Sequence, residues 1–576
     1  MILTDKEIDS KIPDYVWWVS EKLTKAGFEA YLVGGSIRDL VIGREPKDFD
    51  LATNAKPLEV QRLFPDSIAI GAAFGIITVL APGKGGEVFQ VEVATYRTEE
   101  DYTDGRWPTK VEFTTDISRD LGRRDFTINA MAYPMHVPAN GREVLDPFDG
   151  KKDIERKVIS AVGTPIERFK EDGLRGFRAC RLASVLGYTI APETVKAIKD
   201  CVEIAAKVSV ERMREEFLKI LYQSSVPSVG IELLRETGLL KIFMPELLEG
   251  VGVEQSKRHA SDVYGHILRT VDKAVDEVKL AALFHDIGKP GCATADGHFY
   301  GHEVMSARLA EQIMRRLKFP RLDIEKVSNL VRHHMFWYQE EWTDAAVRRL
   351  IRSIGGEEMI EPMLALRMAD SQSDPKSEFK PWVVEALQKR IAKLREQEMA
   401  IKVTDLDVNG KDVIVMGVPE GYNVRVILDC LLDLVVEDPK QNTRETLEKE
   451  VKKFIAHDFQ LLQLVDEKDE PVRKGYIDDP DLKAGKLAYR MVEFTVADGV
   501  EKTKGKVKKV YSGTVLPEEP YDRAVKRLAW EQLQARIDSG SIKELDKTQK
   551  KDVSGNGVFV QKFEIKMTLP ERKTNG

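Results

Sequence analysis

The stretch Val33–Thr53, VGGSIRDLVIGREPKDFDLAT, decides how the first part of this chain is read. A β-rich run enters Gly34-Gly35-Ser36, where residues without large side chains let backbone N–H groups approach phosphate oxygens, and a helix-like segment follows. Such a turn suits a triphosphate. Further on stand Asp48 and Asp50, an i, i+2 pair that a strand projects from one face. Two carboxylates facing the same way repel unless a cation sits between them. Oxygen-rich sites of this kind suit Mg²⁺, and paired ions stabilise both the attacking and the departing oxygen of an in-line phosphoryl displacement.

Around that stretch, from about Ala30 to Met135, short β-rich runs (YLVGG, IAIGAAFGIITVLA, VFQVEVATYR, VEFTT) alternate with helix-like segments and Gly-containing turns. From about Ile154 to Ile455 apolar residues recur at helical spacing, as in KVSNLVRHHMFWYQ and RVILDCLLDLVVED, and strand signals are sparse. Beyond about residue 458 come LAYRMVEFTV, KKVYSGTVL and a helix-like YDRAVKRLAWEQLQARI. After these, Phe563, Ile565, Met567 and Leu569 alternate with polar residues at the period of a half-buried strand. The expected fold class is α+β multidomain: a mixed-sheet head, a long helical middle and a small C-terminal α+β module of unknown role. The expected limits are 1–150 for the head, 151–250 for a helical neck and body, 251–375 for a metal-binding domain, 376–457 for a helical tail and 458–576 for the last module.

Composition narrows the function classes. At 576 residues, 42% hydrophobic and 32% charged, the chain is too long for one small module and too apolar for a disordered scaffold. No run approaches the ~18 apolar residues that span a bilayer, and the N-terminus lacks a secretory apolar stretch, so a cytoplasmic protein with no membrane partner is expected. Cys180, Cys201, Cys292 and Cys430 are widely spaced and form no CxxC pair. The net charge of −7 argues against a surface coated for nonspecific nucleic-acid binding. Within residues 151–220, however, 15 Lys/Arg stand against 11 Asp/Glu, a local balance that suits a polyanion.

Read with LGRRDFTINAMAY (Leu121–Tyr133), LDPFDGKKDI (Leu145–Ile154) and RFKEDGLRGFRACRLA (Arg168–Ala183), the opening motif resembles the class II tRNA nucleotidyltransferase and bacterial poly(A) polymerase family over about residues 15–455. The resemblance implies a polymerase-β-like nucleotidyltransferase head joined to helical neck, body and tail. Carried across by position, it makes Asp48 and Asp50 the Mg²⁺-binding carboxylates and Glu92 the third acidic position. It assigns Gly34, Gly35 and Arg38 to the incoming nucleotide and Arg124 to its triphosphate or sugar. Glu171, Asp172 and Arg175 match the family's EDxxR element, and Arg178 and Arg181 are given to nucleotide phosphates.

The EDxxR residues also carry an argument of their own. Cytosine and adenine each present an exocyclic amine donor beside a ring-nitrogen acceptor, whereas uracil and guanine present a carbonyl beside a ring N–H. A carboxylate only accepts and a guanidinium only donates, so an Asp172–Arg175 pair on one helix, about 60° apart, fits the first two bases and opposes the others. Each buried mismatch costs ~1–3 kcal/mol, so two reject UTP and GTP strongly. The family commonly has Pro where this chain has Gly173, a departure expected to cost some helix stability and nothing else. Between Arg97 and Val111 the polar RTEEDYTDGRWPTK corresponds to a flexible loop in the family, whose integrity goes with the switch from CTP to ATP. Its presence favours CCA over CC addition.

Seven of the nine histidines fall between His259 and His334. His285-Asp286, in LAALFHDIGKP, is the adjacent pair that lets imidazole and carboxylate bind one divalent ion. With His266 and Asp370 it resembles an HD-superfamily metal phosphohydrolase, and His302 and His334 are candidates for a second ion. Imidazole plus carboxylate suits Mn²⁺, Ni²⁺, Fe²⁺ or Zn²⁺. The expected activity is addition of CMP, CMP and AMP from CTP and ATP to the 3′ end of tRNA, by a monomer or homodimer. Two rivals stay open: a poly(A) or A-only polymerase with the same head, and an RNA-end hydrolase that uses a degenerate head for docking.

Overall fold

The computed structural model describes residues 3–103, 107–255, 261–294, 297–336, 338–339, 341–373, 381–395, 402–418 and 422–456, with strand segments 459–465, 488–494 and 511–512. The chain divides into two compact units, Met1–Val413 with Val424–Glu450, and Ile414–Asn423 with Val451–Gly576.

In the first unit the head is built on five strands: β1 (Tyr31–Val33), β2 (Asp50–Thr53), β3 (Ile76–Pro82), β4 (Val88–Thr95) and, after a separate hairpin of β5 (Arg97–Thr103) and β6 (Trp107–Phe113), β7 (Ala132–Pro134). Their order is β3-β4-β2-β1-β7. All neighbours are antiparallel except β2 and β4, which run parallel with Asp50 opposite Glu92. Alternation explains the strands. In β3, Ile77, Val79 and Ala81 are buried while their neighbours are partly exposed, and in β4, Val91 and Val93 are buried while Glu92 between them is exposed. The helix Asp14–Lys25 covers the sheet with Val16, Val19 and Leu23, all 0% exposed, at helical spacing.

Two expectations for the head need correction. Asp48 is not on a strand, because β2 begins at Asp50 and Asp48 lies in the exposed bend before it. Phe49 between them is 6% exposed and packs edge-on against Tyr15, so it anchors the bend. The strands run further into the polar stretch after Arg97 than expected: β5 and β6 form an antiparallel ladder with Arg97 opposite Phe113 and Thr103 opposite Trp107, and residues 104–106 between them lie outside the described residues. Threonine, tyrosine and tryptophan favour a strand here, but charges on the run hide the apolar alternation that would reveal one.

The middle is mainly helical, as its periodicity predicts, with a parallel two-residue pairing of Val158–Ile159 and Thr189–Ile190. In the second unit, Phe459–Val465, Ala488–Phe494 and Tyr511–Ser512 form a three-stranded antiparallel sheet. The expected helix YDRAVKRLAWEQLQARI and the alternating strand at Phe563–Leu569 lie outside the described residues, as does His259. No described helix is long and apolar enough to cross a membrane.

Candidate active site and metal centre

The turn after β1 opens a cleft of about 490 Å³ between the head sheet and the first helices of the middle. Gly34 has φ 71° and ψ −136°, a conformation that side chains resist, and a Cβ there would stand 3.1 Å from Arg124 Nη1 and 3.8 Å from Asp50 Oδ2. The bare glycine face thus leaves room for an arginine and a strand carboxylate to flank one spot. Gly34, Gly35, Asp50, Glu92 and Arg124 line the cleft from the head, and Asp172, Arg175 and Arg178 line it from the helices. Burial, the Glu92 charge and the Asp48 charge together raise Asp50 to about 6, against a smaller opposing pull from Arg124. That mutual repulsion among carboxylates is what a divalent cation relieves, so the donor set fits one.

Behind the lining runs a network of ion pairs. Arg124 Nη2 donates to Asp120 Oδ2 at 3.1 Å, and Arg123 binds Asp120 Oδ1 at 2.8 Å. Arg38, expected at the nucleotide, is not among the lining residues. It pairs with Asp39 at 2.7 Å and donates to Asn129 Oδ1 at 2.8 Å, and Asn129 donates in turn to Asp125. Asp125 is the partner of Arg178, at 2.9 Å. Burial pushes Asp125 up, but Arg178 and Arg175 outweigh it and hold the carboxyl below its ordinary value. Arg181 also lies outside the lining, bonded to Glu216 at 2.5 Å.

The EDxxR element is not one helix. Helix Pro165–Glu171 ends before Asp172, and Leu174–Leu186 starts after Gly173, so Asp172 and Arg175 face the cleft across a break rather than along a ridge. Asp172 Oδ1 accepts the Leu174 N–H at 3.0 Å, and its Oδ2 accepts from Arg212 at 2.9 Å. The carboxylate is therefore held by Arg212, not by Arg175. Arg175 donates to Glu171 (2.6 Å), the Arg168 carbonyl (3.1 Å) and the Arg123 carbonyl (2.9 Å), which leaves its Nε–H and one Nη2–H. The break itself is at Asp172, whose backbone is extended, and Gly173 has a reason beyond helix propensity: a Cβ there would come within 2.7 Å of the Ala205 backbone, so only glycine allows that close approach.

The histidine cluster assembles from separated helices. His266 comes from Val263–Lys273, His285-Asp286 from the end of Lys279–Phe284, His302 from the start of His302–Arg316, His334 from the end of Arg321–His333 and Asp370 from Ile360–Ser373. All but Asp370 are at most 6% exposed. The side chains form two triads, His266–His285–Asp370 and Asp286–His302–His334, each with its ligand atoms within 4.8 Å of one another. Asp286 spans both, with Oδ2 3.1 Å from His285 Nε2 and Oδ1 3.3 Å from His302 Nε2.

Three of the ring orientations are set by backbone. The Nδ1–H groups of His285, His302 and His334 donate to the carbonyls of Ala282 (2.8 Å), Phe299 (2.7 Å) and Val331 (2.7 Å). Ser373 Oγ donates to the Asp370 carbonyl at 2.6 Å and so accepts from His266 Nδ1 at 3.1 Å. All four Nε2 atoms are left to converge, and those of His302 and His334 are buried with no hydrogen-bond partner. Burial pushes His285 down, but Asp286 and Asp370 outweigh it and hold it at about 10, so the carboxylates recruit a positive charge. Four imidazoles and two carboxylates fit a pair of divalent ions.

Sequence reasoning missed Asp120, Arg123, Asn129, Arg212 and Ser373. The i, i+3 and i, i+4 spacing of Asp120 to Arg123 and Arg124 is a signal for the first two, whereas Arg212 and Ser373 act through tertiary contacts that no local spacing announces.

Residues 30–160 match the poly A polymerase head domain family, residues 187–250 the family described as a probable RNA and SrmB-binding site of polymerase A, and residues 254–373 the HD domain family. The chain is 32% identical over 436 residues to a CCA-adding enzyme of Geobacillus stearothermophilus, an alignment that covers 74% of this chain and 94% of that protein. It is 46% identical over 202 residues to a CCA-adding enzyme of Lactobacillus johnsonii, covering 35% of this chain and 48% of that one. The crystal structure of the Bacillus stearothermophilus CCA-adding enzyme in complex with CTP aligns with a TM-score of 0.55 and 29% identity, over 76% of this chain and 96% of that chain.

Proposed function

Because the chain belongs to the CCA-adding enzyme family, we propose that it adds CMP, CMP and AMP from CTP and ATP to the 3′ end of tRNA without a nucleic-acid template, releasing pyrophosphate. The observation that carries the reading is the shared cleft, in which Asp50 and Glu92 stand in register on adjacent strands while Asp172 and Arg175 line the same space.

Divalent ions held by Asp48, Asp50 and Glu92, Mg²⁺ by the chemistry of the donors, would activate the terminal RNA hydroxyl and neutralise the departing pyrophosphate. The other roles fall to the chain's own groups. Gly34 and Gly35 let the triphosphate approach the backbone, and Arg124 and Arg178 offer it guanidinium donors. Asp172 accepts from the exocyclic amine of cytosine or adenine, and the remaining donors of Arg175 serve the ring nitrogen. Glu171 braces Arg175 directly, Arg38 acts on Arg178 through Asn129 and Asp125, and Arg181 is held by Glu216 outside the cleft. No covalent intermediate is needed. The helical regions grip the tRNA acceptor end by shape and backbone charge, as duplex RNA recognition generally does.

Replacing Asp48 and Asp50 together by alanine abolishes nucleotide incorporation on this reading. Unchanged incorporation would move the chemistry elsewhere and favour the hydrolase rival.

The double triad supports a second reading, a metal-dependent phosphohydrolase in residues 254–373. Mn²⁺, Ni²⁺, Fe²⁺ and Zn²⁺ all suit its donors, and an ion held by the two triads would supply a water acidic enough to act as nucleophile. Release of p-nitrophenol from its phosphate ester in the presence of each ion, lost in His285→Ala, tests it.

A further inference from the structure

Asp120 lies on the short helix Ile117–Gly122 and is 1% exposed. Its Oδ1 accepts from Arg123 Nη2 (2.8 Å), Arg123 Nε (3.1 Å) and the backbone N–H of Arg97 at the start of β5 (3.2 Å), and its Oδ2 accepts from Arg124 Nη2 (3.1 Å). A buried carboxylate with donors on both oxygens is fixed in place.

Arg124 stands between two carboxylates. One end of its guanidinium is bonded to Asp120. The other, Nη1, lies 3.1 Å from the point where a Gly34 Cβ would sit, and Asp50 Oδ2 lies 3.8 Å from that same point. Asp50 is crowded by Glu92, its partner in register, and by Asp48 two residues before it, so any mobile cation close by is drawn to it. An arginine released from Asp120 is such a cation, and its long stem allows the move.

We propose that Asp120 is a positioning residue: it tethers Arg124 away from Asp50, so that the head carboxylates stay open to a divalent ion while Arg124 remains available to the nucleotide. The proposal rests on the reading of Asp48, Asp50 and Glu92 as the metal-holding group. The tether reaches further, since Arg123 also offers its carbonyl to Arg175 Nη2 at 2.9 Å, and the turn that presents Arg124 therefore abuts the base-reading arginine.

The test is binding of labelled CTP to the full chain by equilibrium dialysis across a Mg²⁺ series, with no tRNA present and hence no turnover. In the wild type, affinity rises with Mg²⁺. Asp120→Asn raises the Mg²⁺ midpoint about fivefold, the size of one partly buried ion pair competing for the same oxygen, and excess Mg²⁺ restores affinity. Arg124→Met weakens CTP binding at every Mg²⁺ concentration but leaves the midpoint at or below that of the wild type. In the double variant the midpoint falls back to that of Arg124→Met. A merely structural role for Asp120 gives no such return.

An unshifted midpoint in Asp120→Asn, or a shift that persists in the double variant, overturns the tether alone. Wild-type CTP binding that ignores Mg²⁺ overturns the tether together with the metal reading. If Asp120→Asn does not fold, Arg124→Met decides: a midpoint above the wild type means that Arg124 assists the metal, and the proposal fails.

Discussion

Gly34→Ala separates the role of the cleft turn from its contribution to stability. At φ 71° and ψ −136° the backbone is outside the left-handed helical well, and forcing alanine into such a region costs ~1–3 kcal/mol. For a domain of this size that lowers Tm by roughly 2–4 °C per kcal/mol. The added methyl also arrives 3.1 Å from Arg124 Nη1, so the guanidinium must yield, and it is already bonded to Asp120 on its far side. Losing one charge-assisted hydrogen bond in the transition state, ~1.5–3 kcal/mol, corresponds to a fall of roughly 10- to 150-fold in kcat/KM. Gly187→Ala is the control. It has φ 70° and ψ 37°, no atom within 4 Å of the new Cβ, and an expected cost of ~1–2 kcal/mol. Labelled CTP incorporation and thermal melting of both variants make the assay. Comparable Tm losses with kcat/KM reduced only in Gly34→Ala are expected. A Gly34→Ala enzyme with wild-type kcat/KM, or a Gly187→Ala enzyme equally impaired, refutes the reasoning.

Asp50, held at about 6 by burial, Glu92 and Asp48, binds a proton in the folded chain at a pH where the unfolded chain has released it. Its contribution to the stability of metal-free protein is therefore full below the ordinary carboxylate range and lost as pH rises through about 6. Asp50→Asn should flatten that part of a denaturant-derived stability profile, and an unchanged profile contradicts the assignment. Metal analysis should find two ions bound per chain at the histidine cluster, and one after His302→Ala with His334→Ala, with CTP incorporation unaffected. Stripping an ion present at about 100 times its Kd should cost ~2.7 kcal/mol of stability, and retention of both ions by the double variant would rule out the second triad. Gly173→Ala drives a methyl against the Ala205 backbone at 2.7 Å and should cost ~1–3 kcal/mol while loosening discrimination against UTP. Melting and misincorporation assays check both, and wild-type values in both contradict the close-approach argument.

The parts legible in the sequence are those that chemistry writes locally. Gly34, Gly35 and Asp50, close in sequence, line one cleft, and six metal-ligand candidates spread from His266 to Asp370 form two adjoining triads. What local reasoning lost was set by tertiary contact. The helix break falls at Asp172, extended and capping Leu174 N–H with its own carboxylate, and the approach of Ala205 to Gly173 beside it is a tertiary contact that helix spacing between Asp172 and Arg175 cannot reveal. The pairing of Asp172 with Arg212 joins residues 40 positions apart. The strand start at Asp50 rather than Asp48 reflects Phe49 docking on Tyr15, and the β5–β6 ladder is concealed by its charges.

The most direct measurement extends a tRNA that ends at its discriminator base with CTP and ATP, resolving products to single nucleotides. The account predicts two cytidylates, then one adenylate, then arrest. An unbounded adenylate tail, or no extension by correctly folded protein, contradicts it.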